Sequence, residues 1–406
     1  MTSDGWPIEP LSHLLDGIEA GKSPNLPDSP AGPGEWGVLK VSAVHISGFK
    51  AGENKRIETP DNVDTRYQIH PGDLLVSRAN TPELVGSACI VPELSTGLLL
   101  SDKTLRLQVD PTRALAEYVN ICLASSGVRR QIVNAASGSS RSMQNIGQKA
   151  IERLRLPAPP IEEQRRIVEV IDSFTELERG IEASIAKFEA LRSGLMEELV
   201  ELECGQFGEV LRQGPQNGIY KPASSYGLQG TPIVRIDSFS RGKSDLTRGL
   251  LRVSVKRSEI ARYGLDLGDI VINRVNTPDL VGKSTSVRCL IEPTIFESNM
   301  MRCKLNRAAA DPVFTETWLG SSKVRRYFLQ RAKSAISQAS INGDDVRNCP
   351  FPKMSLPEQL AFLERLNAVD DQRLAEAAEL AKLRQLKQGL VDDLLSGRVA
   401  VSAAAA

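Results

Sequence analysis

An arginine and an asparagine, two positions apart, occur twice in this chain in nearly the same words. Arg78 and Asn80 stand in "GDLLVSRANTPELVG", Arg274 and Asn276 in "GDIVINRVNTPDLVG". A guanidinium suits a phosphate, and an asparagine amide can pair with an adenine edge through two hydrogen bonds. Two readings follow. The pairs brace the fold or hold a phosphate, or they touch something that two binding surfaces have in common, such as an adenine. We favour the first, because residues identical in both places cannot be what makes the two places different. The same holds for Gly72 and Gly268, which suit a tight turn, and for Asp73 and Asp269, which suit capping of its backbone donors.

The text around these residues repeats as well, at an offset of 195 or 196. "WGVLKVSA" at Trp36 returns as "TPIVRIDS" at Thr231, "LASSGVRR" as "LGSSKVRR", and "EEQRRIVEVID" as "PEQLAFLERLN". So long a period is a duplicated domain rather than a solenoid. Each copy opens with short strands after Gly-Asp turns and a helical segment, over 115–133 in the first copy. A helix of about 40 residues follows. Ser355 stands three before Glu358, the spacing of a capping box. Ile171, Phe174, Ile185 and Phe188 in one long helix, and Leu366, Val369, Leu380 and Leu383 in the other, step by threes and fours as a coiled-coil seam does. Glu376 interrupts that seam where its counterpart is Ile181. Each helix reaches about 60 Å at 1.5 Å per residue, so the two stripes most simply bury each other.

The fold expected is α+β with a pseudo-two-fold internal repeat. Two similar mixed α/β globular domains, 1–158 and 204–354, are joined by long helices, 159–203 and 355–399, packed as an antiparallel coiled coil. Residues 400–406 read as a disordered tail.

Enzyme chemistry finds no footing. "GIEAGKS" leaves three residues between its glycines where a phosphate-binding loop needs four. "NTPEL" and "NTPDL" lack the second proline and the aromatic of an amino-methyltransferase motif, and no Gly-rich loop for S-adenosylmethionine is seen. Pro278, Asp279 and Lys283 suggest a nuclease cluster only until Ser87 is found in the place of Lys283. No histidine recurs between the copies, so we expect no catalytic residue. Scattered cysteines without a C-x-x-C pair, and only three histidines, argue against a metal site and suit a reducing cytoplasm. No apolar run is long enough to cross a membrane. Net charge is zero, yet residues 156–204 carry 12 acidic and 5 basic side chains, net −7, while 205–350 carry 22 basic and 13 acidic, net +9. The basic block permits a nucleic-acid partner.

Gly-Asp strand starts with a downstream arginine, "LPAPPIEEQRRIVEVID" or "CPFPKMSLPEQLAFLERLN", and helices closing on "LRSGLMEELV" or "LKQGLVDDLLSGRVAV" together resemble the specificity subunit of type I restriction–modification systems. The second copy departs in its shorter proline run. The resemblance covers nearly the whole chain. It implies a protein without catalytic activity, in which each domain reads one half of a split double-stranded DNA target. It implies two methyltransferase subunits as partners, using S-adenosylmethionine to methylate adenine N6, and motor-nuclease subunits using ATP and Mg2+. Two equivalent surfaces suit half-sites about 34–36 Å apart.

Specificity is then expected in the unrepeated loops. In the first copy these bring Lys50, Asn54, Lys55 and Arg56, and in the second Arg241, Lys243, Arg248, Arg252, Lys256 and Arg257, types suited to base edges and phosphates. Arg129 with Arg130, and Arg325 with Arg326, recur and fit phosphate contact or helix-end pairing better than base reading. The alternative is a coiled-coil adaptor without affinity for DNA, which would have no use for two unlike polar loops on like scaffolds.

Overall fold

The computed structural model describes residues 5–59, 63–94, 97–140, 143–239, 246–335 and 338–399, except the side chains of residues 139, 140, 334 and 335. Arg241, Lys243 and residues 400–406 lie outside these. The chain divides into two compact units. Unit 1 comprises Met1–Glu182 with Ala377–Ala406, and unit 2 comprises Ala183–Glu376. The division falls in the middle of the long helices, so each unit holds half of both.

Unit 1 is built on a four-stranded antiparallel sheet in the order Leu15–Ala20, Thr104–Val109, Leu74–Ser77, Ala88–Ile90. The strand Leu74–Ser77 is buried along its whole length, which is why its sequence is an apolar run rather than an alternation. Leu74 and Val76 face the main core with Leu105, Leu107, Tyr118 and Ile132. Leu75 faces the other way, into a smaller core with Leu39, Val44, Cys89 and Leu98. That second core is covered by a sheet in which Trp36–Leu39 pairs parallel with Gly97–Leu99 and antiparallel with Asn54–Arg56.

Unit 2 repeats this plan strand for strand. Its four-stranded sheet runs Leu211–Asn217, Met300–Leu305, Ile270–Asn273, Ser284–Ser286. Thr231–Val234 pairs parallel with Ile295–Phe296 and antiparallel with Leu251–Val253. The duplication read from sequence is therefore a duplication of topology. Unit 2 adds a strand, Tyr226–Gly227, and a helix, Arg257–Tyr263, where unit 1 has only the short turn Thr65–Tyr67.

The helical segment expected over 115–133 is two helices, Ala116–Ala124 and Ser126–Ala135. Ser125 breaks them apart, its backbone extended and its hydroxyl accepting from Val128 N. Ser321 does the same for Val324 N between Pro312–Leu319 and Ser322–Arg331. A serine that caps the second helix competes with continuation of the first.

The long helices are Ile161–Glu201 and Leu356–Leu395. Of the box expected at Ser355 the glutamate half forms: Ser355 N and Oγ each donate to Glu358 Oε2 at 2.7 Å, so the hydroxyl meets the carboxylate rather than the helix N–H. In unit 1, Lys387 Nζ reaches Thr175 Oγ1 (2.8 Å) and Glu178 (3.3 Å), and Arg384 pairs with Glu182. In unit 2, Glu376 accepts from Ser184 Oγ (3.0 Å), Arg192 pairs with Asp370 (3.0 Å) and Arg365 with Glu198 (3.4 Å). Within each unit the partners step backward along one helix as they step forward along the other, so the halves run antiparallel. Ile171, Leu366 and Leu380 are buried in this packing, and Phe174, Ile185, Phe188, Val369 and Leu383 are half-buried. Glu376, the polar interruption, is satisfied by Ser184 rather than stranded.

What ties each helix to its globule is a glutamine. Gln164 is fully buried. Its Oε1 accepts from Leu115 N (3.0 Å), and its Nε2 donates to Arg113 O (3.0 Å) and Pro159 O (2.9 Å). Gln359 repeats every bond, accepting from Asp311 N (3.0 Å) and donating to Ala309 O (2.9 Å) and Met354 O (3.0 Å). A buried amide with all of these bonds made fixes a helix start in one orientation.

Candidate nucleic-acid interface

The repeated sentence folds into the same platform in both units. Gly72 and Gly268 take positive φ, 89° and 88°, as a turn at those places requires. Asp73 Oδ2 accepts from His70 N and Asp269 Oδ2 from Asp266 N, each at 2.9 Å. Arg106 donates to Asp73 (2.8 Å) and Gln68 O (2.8 Å) and pairs with Glu19. Arg302 likewise donates to Gly264 O and to Gln216 Oε1, with Nε 3.9 Å from Asp269. Burial pushes the Asp269 carboxyl above its ordinary 3.8. A hydrogen bond from Lys304 holds neighbouring Asp266 below it.

Gly86 and Gly282 are required twice over. Both have positive φ, and a Cβ would come within 2.6 Å of Ile132 Cγ2 in unit 1 and 2.4 Å of Phe328 Cδ2 in unit 2. Here the platform turn presses on the second helix of each unit.

The asparagines of the shared sentence are spent on it. Asn80 Oδ1 accepts from Thr81 N (2.9 Å) and Asn276 Oδ1 from Thr277 N (2.8 Å). This favours the bracing reading for both. The arginines differ. Arg78 is exposed, with no side-chain partner among the described residues, while Arg274 is half-buried with Nη1 3.5 Å from Ser298 O. Each comes just before a strand of a three-stranded sheet, Ala79–Asn80 with Met143–Asn145 and Ser137–Ser140, and Val275–Asn276 with Gln338–Ser340 and Lys333–Ala335. Arg129 closes on the platform turn, donating to Val85 O (2.8 Å) and Glu83 O (3.0 Å). Arg130, Arg325 and Arg326 are exposed, with no side-chain hydrogen bond or ion pair among the described residues.

The unrepeated loops sort the expected readers. Asn54 is corrected outright. It is 1% exposed, accepting from Ala31 N (2.8 Å) and donating to Ala51 O (2.7 Å). Its strand pairs with Trp36–Leu39 and turns the amide inward, where no base edge can reach it. Arg56 lies between Glu35 (3.5 Å) and Glu58 (3.6 Å). Arg252 is paired with Glu292 and donates to Gly230 O (2.7 Å). Lys55 is half-buried, whereas Lys50, Arg248, Lys256 and Arg257 are exposed. Beside them stand groups the sequence did not single out as readers. Lys22 and Arg66 lie 5.5 and 5.8 Å from the Tyr67 ring, and Arg235 lies 5.7 Å from the Tyr226 ring. Cation–aromatic stacks of this kind also suit nucleotide bases. The mismatch of Lys40 with Arg235 at equivalent places was the one sequence signal for the second.

Burial pushes the thiols of Cys89, Cys122 and Cys303 up to about 12, far from the reactive thiolate range. Among the described residues no group of three or more His, Cys, Asp or Glu is set to hold a metal, and no helix is long and apolar enough to cross a membrane.

Two like platforms bear unlike polar loops, and a glutamine ties each to the start of one long helix. Residues 65–187 match the type I restriction modification DNA specificity domain. Over 173 residues the chain is 31% identical to the type I restriction enzyme EcoEI specificity subunit of Escherichia coli, covering 42% of this chain and 29% of that protein. It is 22% identical to the putative type I restriction enzyme MjaX specificity subunit of Methanocaldococcus jannaschii, over 98% of this chain and 94% of that one. In fold it is similar to the type I restriction–modification S subunit from M. genitalium, with TM-score 0.54, 15% identity and 97% of each chain covered. A chain from a type I R-M system solved for its complex assembly and conformational transition gives TM-score 0.63 at 17% identity, over 97% of this chain and 98% of that one. Over residues 65–187 the chain thus resembles a type I restriction modification DNA specificity domain, and over nearly its whole length it is similar to a specificity subunit.

Proposed function

We propose that this protein is the DNA-reading subunit of a type I restriction–modification complex, with each unit reading one half of a two-part duplex target. The observation that carries this is the pairing of one platform with two different loops. The Gly-Asp turn, an arginine behind it and the glutamine joint recur in both units. The exposed cations are not, with Lys50 on one side and Arg248, Lys256 and Arg257 on the other. A common platform fixes phosphates and register, and a private loop reads bases. Methylation and cleavage then belong to partners: two methyltransferase subunits using S-adenosylmethionine, and motor-nuclease subunits using ATP and Mg2+. The assembly works on cytoplasmic DNA.

The test is to map N6-methyladenine across the host genome with and without this chain, and to measure binding of the chain with its methyltransferase partners at about 150 mM salt, where non-specific binding is weak. A two-part motif that vanishes with the gene, and preference for that motif over random DNA, are expected. Equal affinity for both DNAs favours the adaptor reading instead.

A further inference from the structure

One place inside the shared platform breaks the repeat and touches the loop. Ser87 of unit 1 and Lys283 of unit 2 each follow the Val-Gly of the turn. Ser87 stays local, its Oγ donating to Leu84 O at 2.7 Å. Lys283 reaches outward. Its Nζ donates to Phe239 O (2.6 Å) and Ile236 O (3.1 Å) and lies 4.8 Å from the centre of the Phe239 ring. Those carbonyls belong to the turn after Thr231–Val234, closed by Ser238 N on Arg235 O (3.0 Å) and Arg235 N on Ser238 Oγ (2.8 Å). This turn opens the unrepeated loop of unit 2. Phe239 seats it in a core with Val271, Phe296 and Met300.

The strand partner of Lys283 has changed too. Ser77 of unit 1 spends its hydroxyl on Leu84 O (3.0 Å). Its counterpart Asn273 donates its backbone N–H to Lys283 O (2.7 Å). Asn273 is fully buried, and neither atom of its amide has a hydrogen-bond partner among the described residues. Two serines that close the turn on itself are thus replaced by a pair in which one member ties platform to loop. An ammonium on two carbonyls and an aromatic face makes a stronger tie than a neutral hydrogen bond.

We propose that Lys283 is a positioning residue for target reading by unit 2. It fixes the entry of the unrepeated loop against the shared platform, and so sets where that loop meets base edges. This rests on the DNA-reading function proposed above.

Lys283→Met keeps the aliphatic stem and removes the donors. The full chain is expressed with its methyltransferase partners, and N6-methyladenine is mapped genome-wide. One half of the motif is expected to loosen, with methylation at sites carrying one wrong base in that half rising at least about tenfold relative to cognate sites. The other half stays as it was, and Lys283→Arg restores the wild-type motif. An unchanged motif in Lys283→Met overturns the positioning role and leaves DNA reading standing. Equal loosening of both halves overturns it as well, as a general loss of stability. A wild-type chain that directs no two-part motif overturns both. If Lys283→Met gives no methylation, amide exchange on the full chain decides. Residues 236–239 should exchange about tenfold faster while Ile270–Asn273 is unchanged, and equal exchange at both refutes the tie.

Discussion

In unit 1 the unrepeated segment meets the platform mainly through apolar packing, with Val44 and Phe49 against Leu75 and Cys89, and makes polar bonds to its own neighbours. Ser42 donates to Glu53 (2.6 Å), Lys50 N bonds Ala43 O (2.9 Å), and Asn54 bridges Ala31 and Ala51. In unit 2 the corresponding segment is tied to the platform through Lys283 and through Phe239 in the core. The cores differ as well. Unit 2 packs Phe207, Phe314, Trp318, Phe328 and Phe351 where unit 1 uses Leu11, Tyr118, Cys122, Ile132 and Leu156. The lesson is that one topology tolerates two ways of holding a loop, provided the joints beneath it are the same. The copies diverge in core packing and in their loops and agree at the glutamine joints.

The first way to break this comparison is to attack what the units have in common. Gln164→Leu leaves Leu115 N and two carbonyls unpaired in a buried place, and Gln359→Leu does the same in unit 2. Each should cost about 3 kcal/mol, read as a fall in the urea midpoint. A large loss at one site and none at the other would show that the two joints are not equivalent.

Next in size, Gly86→Ala and Gly282→Ala force a side chain into positive φ and against Ile132 or Phe328. We expect each to cost about 2 kcal/mol, measured by the same unfolding. A neutral Gly282→Ala would mean that the Phe328 ring moves aside where Ile132 cannot.

A smaller effect sharpens the difference. Burial raises the Glu297 carboxyl above its ordinary 4.5, against the lowering by Arg235. A carboxyl raised in the folded state contributes stability below its unfolded value, and that contribution is lost as pH rises through the folded one. Glu297→Gln should therefore remove the fall in stability of unit 2 that sets in as pH rises above the ordinary 4.5. The equivalent position of unit 1 is Ser101, and unit 1 has no such dependence from this source. A steeper profile in the variant would refute the assignment.

Smallest are the exposed arginines. Arg78→Ala should leave melting unchanged and reduce the salt dependence of DNA binding by about one phosphate contact. Arg274→Ala, half-buried against Ser298, should reduce both. Identical behaviour would remove the distinction drawn between them.

Much of this architecture was legible in sequence, for a physical reason. Long helices announce themselves by period and a duplicated domain by its offset, and both are properties of many residues at once. The joints were not legible. The Glu-Gln pair marked a helix start, but nothing in spacing said that Gln164 points inward and is fully bonded. Asn54 was expected as a reader on residue type, and only its strand pairing shows that it faces the interior. Lys283 stands near Asp279 in sequence, a proximity that points to catalysis rather than to a tie. Its mismatch with Ser87 inside an otherwise faithful repeat was the usable signal.

The glutamine joint has one more consequence. Gln164 and Gln359 grip only main-chain atoms of the globules they anchor, a feature any amino acid at Arg113 or Ala309, and any but proline at Leu115 or Asp311, can supply. The coupling is therefore indifferent to the spelling of the head it carries. A foreign head of the same backbone shape can be mounted on these rods without retuning the rods, so a lineage can acquire a new address by exchanging heads rather than by editing them.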